Sequence, residues 1–416
     1  MEYLHILKQA LVYVLTAYWC YQTVISLCAL VKLKDKPYLT NKEHKFMAII
    51  PAHNEEMVVA NLIESLKKQN YNKELYDIYV IADNCTDKTA QVAREAGAIV
   101  YERFDQAHKT KGYALQWFLK QKIEENADYD AVLIFDADNI ADQNFIVNMN
   151  KKLCQGEEVV QGYRDIKNPT DNWITAGYAL FYWTMHRMYH LARYNIGLSP
   201  LLNGTGFMVK FDLLKPNGWE TETLTEDIEF SLKNIIQGRK LGWATDAIVY
   251  DEQPTSFKQS WSQRSRWTVG HMQCVKRYTG ELFNAIKEHK TVMNFDGFLY
   301  MIGTTPMLIL TMTLMIINFI IYSAHAMTNM ELLINILNYL IPTLFLPIGT
   351  AILAMALDRK PIKPMIKGLI CYPIFMGSWV VINIKCLFKR ETKWEKINHV
   401  RDIKIAEVKE EVVEKI

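Results

Sequence analysis

AVLIFDADN, residues 131–139, carries five apolar residues into two aspartates separated by one position. The apolar run has the length of a buried strand, and Asp136 and Asp138 fall where that strand would leave its sheet. Alternation along an extended chain directs residues two apart to the same side, so the spacing predicts that the two carboxylates share a face. Two hard oxygen ligands so placed suit Mg2+ or Mn2+, with positions left open for phosphate oxygens. A metal bridging a diphosphate would stabilise the charge that grows as a phosphate departs. D-x-D by itself is common, and its weight depends on the surrounding chain.

Upstream, FMAIIPAHNEE (46–56) reads as a strand ending in a polar turn. Val58, Val59, Leu62, Ile63 and Leu66 follow at helical spacing. DIYVIADN (77–84) and AIVYER (98–103) read as further strands, with helices expected after Asn84 and from Gly112 to Lys122. Strands alternating with helices of this size predict an α/β fold, a mostly parallel sheet with helices on both faces. Ligands of such sheets bind beyond the carboxyl ends of the strands. Glu55, Glu56, Asp83, Asp136 and Asp138 all fall at those ends. No G-x-G-x-x-G follows the first strand and no G-x-x-x-x-G-K-[ST] is present, which argues against a dinucleotide site and a P-loop.

Farther on, Asn203, Gly204 and Gly206 mark a tight turn where backbone can approach a ligand. Thr225-Glu226-Asp227 opens a helix. Its acids are favourable at a helix N-terminus in any case, while a site that transfers a sugar to a hydroxyl needs a carboxylate to accept the proton. Both readings of Asp227 stand at this point. KQSWSQRSRWTVGHMQ (258–273) clusters Gln263, Arg264, Arg266 and Trp267 just ahead of a long apolar stretch. Arg264 reads as a solvated charge.

Half of the 416 residues are hydrophobic, but four windows concentrate them without charge: 9–31, 297–324, 332–357 and 368–384. About 20 residues of helix cross a bilayer core, so the first three qualify as spans. The fourth is short and holds Pro373 and Gly377, which favours a re-entrant or interfacial segment, with a full crossing as the alternative. Lys32, Lys34 and Lys36 follow the first window, placing the middle of the chain on the cytoplasmic side of a cell membrane. Ala176 to Tyr194, with His186, Arg187, His190 and Arg193 spaced by three or four, predicts an interfacial helix. Lys258 to Tyr278 predicts a second, with its KRY terminus reaching the headgroups. His186 and His190 lack the partners of a zinc site, and seven cysteines without paired spacing fit a reducing compartment. A formal charge of +2 implies no nucleic-acid partner.

The ordered series PAHNEE, ADNCTDKT, KGYAL, DADN, NGTGF, TED and QRSRW, bracketed by apolar windows, resembles the membrane-embedded family 2 glycosyltransferases. That group includes cellulose, hyaluronan, poly-N-acetylglucosamine and glucosylceramide synthases. The resemblance implies a GT-A-like fold and inverting transfer from a UDP-sugar in one displacement. It implies that Asp83, helped by the turn at Glu55, holds uridine and ribose, and that Asp136 assists with nucleotide or sugar. Asp138 would bind the metal, Lys111 would lie in the donor site and Asp227 would be the base. Arg266 would meet the diphosphate, with Gln263 and Trp267 beside the acceptor. The paired aspartates common after the second strand are missing here, leaving Asp83 alone.

The expected organisation is an N-terminal span over 1–36, a catalytic unit over 46–250 and interfacial helices over 251–296. A membrane region over 297–388 and a charged tail over 389–416 complete it. The expected product is a β-linked cell-surface polysaccharide, with a glycolipid as the alternative. Membrane lipids are expected partners. The few spans leave a polymer channel absent, smaller, or completed by an accessory or export subunit. Intact acids and Arg266 argue against a transporter or scaffold.

Overall fold

The computed structural model describes residues 2–31, 36–303, 305–324 and 329–388. Lys32, Lys34 and the tail beyond Phe388 lie outside the described residues. Eight strands form one sheet: β1 Phe46–Ala52, β2 Tyr76–Asp83, β3 Ile99–Arg103, β4 Ala131–Ile134, β5 Ile140–Ala141, β6 Val159–Ile166, β7 Phe207–Lys210 and β8 Gly242–Asp251. Their order is β3-β2-β1-β4-β7-β6-β8-β5. The first four strands are parallel, as the alternating pattern predicts. Beyond β4 the sheet is mixed: β7 runs antiparallel to both β4 and β6, and β8 is parallel to β6. This second half was not legible as strands in the sequence. Its segments follow long helices and turns rather than alternating with them.

The helices interleaved with the strands are α2 Val59–Lys67, α3 Thr89–Glu95, α4 Lys111–Glu124, α5 Phe145–Cys154, α6 Trp173–Thr184, α7 Ala192–Asn195, α8 Phe211–Leu214 and α9 Glu226–Ile236, after an N-terminal α1 of Glu2–Leu27. Two apolar layers sandwich the sheet. One packs Val59, Leu62, Leu66, Phe145 and Met149 from α2 and α5 on one face. The other packs Leu115, Phe118, Leu232 and Ile235 from α4 and α9 on the opposite face. Burial of such side chains contributes about 1.5–3 kcal/mol each.

Five helices follow: α10 Phe257–His289, α11 Val292–Gly303, α12 Thr305–Ala324, α13 Asn329–Leu357 and α14 Ile366–Phe388. Two segments, Glu2–Leu30 and Lys363–Phe388, are each long and apolar enough to cross a membrane. In the second, Pro373 sits inside an unbroken helix, which has the length the alternative of a full crossing requires. Lys363, Lys367 and Lys385 fall within or beside that helix, so counting charge-free residues understated its length. The window 297–324, expected to be one span, is instead two helices, α11 and α12, bent by 55° at their junction. The window 332–357 lies inside α13.

Ala176 to Tyr194 is not an interfacial surface helix. It forms α6, a π-helical turn over Met185–Leu191, and α7. Tyr178, Leu180 and Tyr182 pack with Met355, Leu369 and Phe375 of α13 and α14. Polar residues that suggested an interface are bonded internally: Arg193 pairs with Asp296 at 2.9 Å, and a ring nitrogen of His186 meets Asn203 at 2.9 Å. Tyr278 likewise turns inward and donates to Glu229 at 2.6 Å, leaving Lys276 and Arg277 exposed.

Gly270 sets how closely α10 approaches α9. A Cβ there would fall 2.6 Å from Thr225 Cγ2 and 2.9 Å from the Thr225 backbone nitrogen. Gly270→Ala is therefore expected to lower stability by about 1–3 kcal/mol through overpacking, read as a lower unfolding midpoint in detergent. An unchanged midpoint would show that the helices have room to part.

Candidate active site

The strand ends converge on a cavity of about 1350 Å³. Glu55, Asp83, Lys111, Asp136, Asp138, Asp227, Gln263, Arg266 and Trp267 all line it, so residues 212 positions apart in sequence meet around one space. The two aspartates of DADN arrive differently from expectation. β4 ends at Ile134, and Asp136 to Asn139 form a turn closed by Asn139 N–H donating to the Asp136 carbonyl at 3.1 Å. Strand alternation does not bring them together; the turn does.

Oxygens of Asp136, Asp138 and Asp251 lie within 4.8 Å of one another. Three hard carboxylate donors at that separation fit a divalent cation. Asp251 ends β8 and was missed, although the strand-end logic that singles out Asp83 applies equally to AIVYD. It is held hard: Arg164 on β6 donates to its Oδ2 through Nε at 2.9 Å, and Asn139 donates to Oδ1 at 2.9 Å. Arg164 also donates to the Asn203 carbonyl at 2.8 Å. Burial pushes the Asp251 carboxyl up, against the opposing pull of Arg164 and with the support of neighbouring Asp138 and Asp136.

Lys111 opens α4 behind a Thr110 cap. Its ammonium donates to Asp136 Oδ1 at 2.6 Å and to the Gly204 carbonyl at 2.6 Å, and lies 3.7 Å from Glu226. One cation thus joins KGYAL, DADN, NGTG and TED. Burial alone would lower its pKa; Asp136 and Glu226 outweigh that and hold it raised. Gly204 takes φ of +93° to present that carbonyl, a conformation few other residues adopt. Asp227 lies in the first turn of α9, and burial raises its carboxyl above the usual value, against backbone N–H groups and Lys111 that favour the charged form.

Asp83 accepts from Arg103 at 2.6 Å and from Asn84 at 3.0 Å, both at Oδ1. Arg103, on β3 and buried, was also missed in the sequence. Burial raises the Asp83 carboxyl while Arg103 opposes it.

On α10, Gln263, Arg266 and Trp267 face the cavity, while Arg264 does not. Arg264 is fully buried rather than solvated. Nη1 donates to the Phe375 carbonyl at 3.0 Å and to Ser378 Oγ at 2.8 Å, and the guanidinium lies 4.4 Å from the Phe375 ring centroid. It joins the motif helix to α14, whose Trp379 sits 6.2 Å from Trp267. Arg264→Ala is expected to cost about 2–4 kcal/mol, from lost packing and charge-assisted bonds. Arg264→Met should cost less, because an apolar side chain needs no buried partners. Thermal unfolding in detergent checks the ranking; equal losses would contradict it.

Residues 44–270 match the family described as glycosyltransferase like family 2. The probable glycosyltransferase YdaM of Bacillus subtilis is 24% identical, over 85% of this chain and 86% of its own length. A β-monoglucosyldiacylglycerol synthase of Nostoc is 29% identical over 60% of this chain and 55% of its own length. The poly-β-1,6-N-acetyl-D-glucosamine synthase of Staphylococcus aureus is 25% identical over 61% of each. This chain thus spans less than two thirds of either synthase. Among solved structures, a Pyrobaculum calidifontis mannosyltransferase in complex with GDP-Man and Mn2+ shares the fold, with TM-score 0.61 and 15% identity over 92% of this chain and 99% of that one. The family match covers more than half of the chain, and the chain belongs to the family 2 glycosyltransferases.

Proposed function

We propose that this chain is an inverting glycosyltransferase that moves a sugar from a UDP-sugar to an acceptor hydroxyl at the cytoplasmic face of a membrane. The observation carrying this reading is the convergence, in one cavity, of the carboxylate trio, Lys111, Asp227 and the QRSRW side chains. Asp138, with Asp136 and Asp251, would hold Mg2+ or Mn2+, which supplies positive charge to the donor diphosphate when bound. Arg266 lines the same cavity, and its position there suits the departing phosphate oxygens.

Asp227 accepts the proton of the acceptor hydroxyl. The freed oxygen forms the new bond to the anomeric carbon as the bond from that carbon to the diphosphate breaks, and UDP leaves with the electron pair. One base suffices for this single displacement, unlike the two carboxyl groups of a hydrolase. Asp83 supports a uracil donor: Oδ1 already accepts two bonds, and the remaining oxygen suits one base N–H. Glu55, at the turn after β1, borders the same end of the cavity.

The polysaccharide acceptor expected from the sequence has the support of the poly-N-acetylglucosamine synthase relative. The glycolipid alternative has its own support, because the cavity continues past Trp267 to α12 and α14. Incubating the purified chain in lipid with a panel of UDP-sugars and Mg2+ or Mn2+, followed by mass analysis, tests the donor. Transfer from none of them would sink the reading.

Asp227→Asn should lower kcat about 100- to 10,000-fold while UDP binding survives; full turnover would remove Asp227 from the base role. The base works deprotonated, and its pKa is raised. The wild-type rate should therefore fall with decreasing pH along a limb above 3.8, the ordinary carboxyl value. A pH–rate profile checks this, and a limb at or below that value would contradict it.

A further inference from the structure

The reaction cavity does not close at Trp267. It extends between α1, α12 and α14, where Trp19, Met307, Leu308, Met376, Trp379 and Val380 form its walls. Two of these helices, α1 and α14, belong to the segments long and apolar enough to span a membrane. Thr305 donates to Asn383 at 2.9 Å on one rim, and the remaining walls there are largely apolar.

Trp19 is 55% exposed and lines two spaces at once. On one side is the reaction cavity. On the other is a groove of about 450 Å³ along α1, formed by Leu15, Thr16, Trp19, Cys20, Thr23 and Val24. From Leu15 to Val24 the groove follows about 13 Å of helix. Thr16, Cys20, Thr23 and Val24 are exposed, on a helix whose composition suits hydrocarbon. A polar saccharide gains nothing from such a surface, because its hydroxyl groups would lose water without replacement bonds. An acyl chain loses nothing there.

We infer that the groove on α1 is a lipid-binding site and that Trp19 marks a lateral portal. The acceptor hydroxyl is borne on a membrane lipid whose acyl chain lies along Leu15–Val24 while its head reaches past Trp379 to Asp227. This rests on the sugar-transfer reading and adds the acceptor class to it. It holds whether the lipid receives one sugar or a growing chain, and it requires no channel-forming subunit.

The test uses the full chain in detergent micelles with labelled UDP-sugar and Mn2+. The acceptors are a long-chain diacylglycerol, its short-chain water-soluble analogue, and a soluble oligosaccharide. Label should appear in the organic-extractable lipid, and the acceptor KM should rise at least tenfold for the short-chain analogue. Thr16→Trp and Cys20→Trp fill the groove from an exposed face. They should raise the long-chain acceptor KM at least fivefold while the donor KM and slow donor hydrolysis by water stay unchanged. Label confined to the acyl-free oligosaccharide would overturn the inference and leave sugar transfer standing. Unaltered acceptor kinetics in both groove variants would also overturn it. So would a loss traced to dissociation of a dimer, since a second copy would then be the groove's occupant. Absence of both transfer and donor hydrolysis in the wild type would overturn both readings together.

Discussion

The ammonium of Lys111 is the point on which the site's geometry depends. It sits between Asp136 and the Gly204 carbonyl, with Glu226 just beyond, and so ties a helix, two turns and the start of α9 to one centre. A buried lysine without acids nearby would lose its proton. The three acids that act on it, Asp136, Glu226 and Asp227, would repel one another without a cation. Each group makes the other tolerable, and together they hold the DADN turn and the TED helix at a fixed separation across the cavity.

The same logic operates at the junction with the membrane helices. Arg193 and Asp296 are both buried and satisfy each other, with Tyr21 and Gln22 of α1 completing the set. Arg264 has backbone and hydroxyl acceptors on α14. Gly270 lets α10 lie directly against the residue that caps α9. The helix carrying Arg266 and Trp267 is therefore held on both sides, one toward Glu226 and Asp227 of α9 and the other toward α14. The sheet domain and the apolar helices share walls of one cavity across these contacts.

The parallel half of the sheet was legible because strands and helices alternate there with clear periods. Residues after those strands, Glu55, Asp83, Asp136 and Asp138, were legible for the same reason, and all reach the cavity. β6, β7 and β8 were not, since their pairing partners lie across long helices and β6 is buried along its whole length, polar residues included, which leaves no alternating signature. Arg164 and Asp251 went unseen with them. Arg264 looked solvated because a sequence shows charge but not the carbonyl and hydroxyl groups that another helix offers to it. Pro373 looked like a breaker, yet packing of α14 against α6 and α10 outweighs its local cost.

Burial first, and the balance of charge second, set the protonation of three acids in the cavity, Asp251, Glu226 and Asp227. Asp136, Asp138, Asp251, Glu226 and Asp227 stand against Lys111 and Arg164, so the acids are in excess. Burial raises Asp251, Glu226 and Asp227 above ordinary carboxyl values, and neighbouring acids add to the rise at Asp251 and Glu226. A divalent cation bound at the carboxylate trio would displace any proton held there, and Arg266 would add positive charge from α10. In the proposed reaction a donor diphosphate would meet positive charge from two directions, while Asp227, on the α9 side, would be left to take the acceptor's proton. On that reading the arrangement would separate the groups that receive negative charge from the carboxylate that must keep its own.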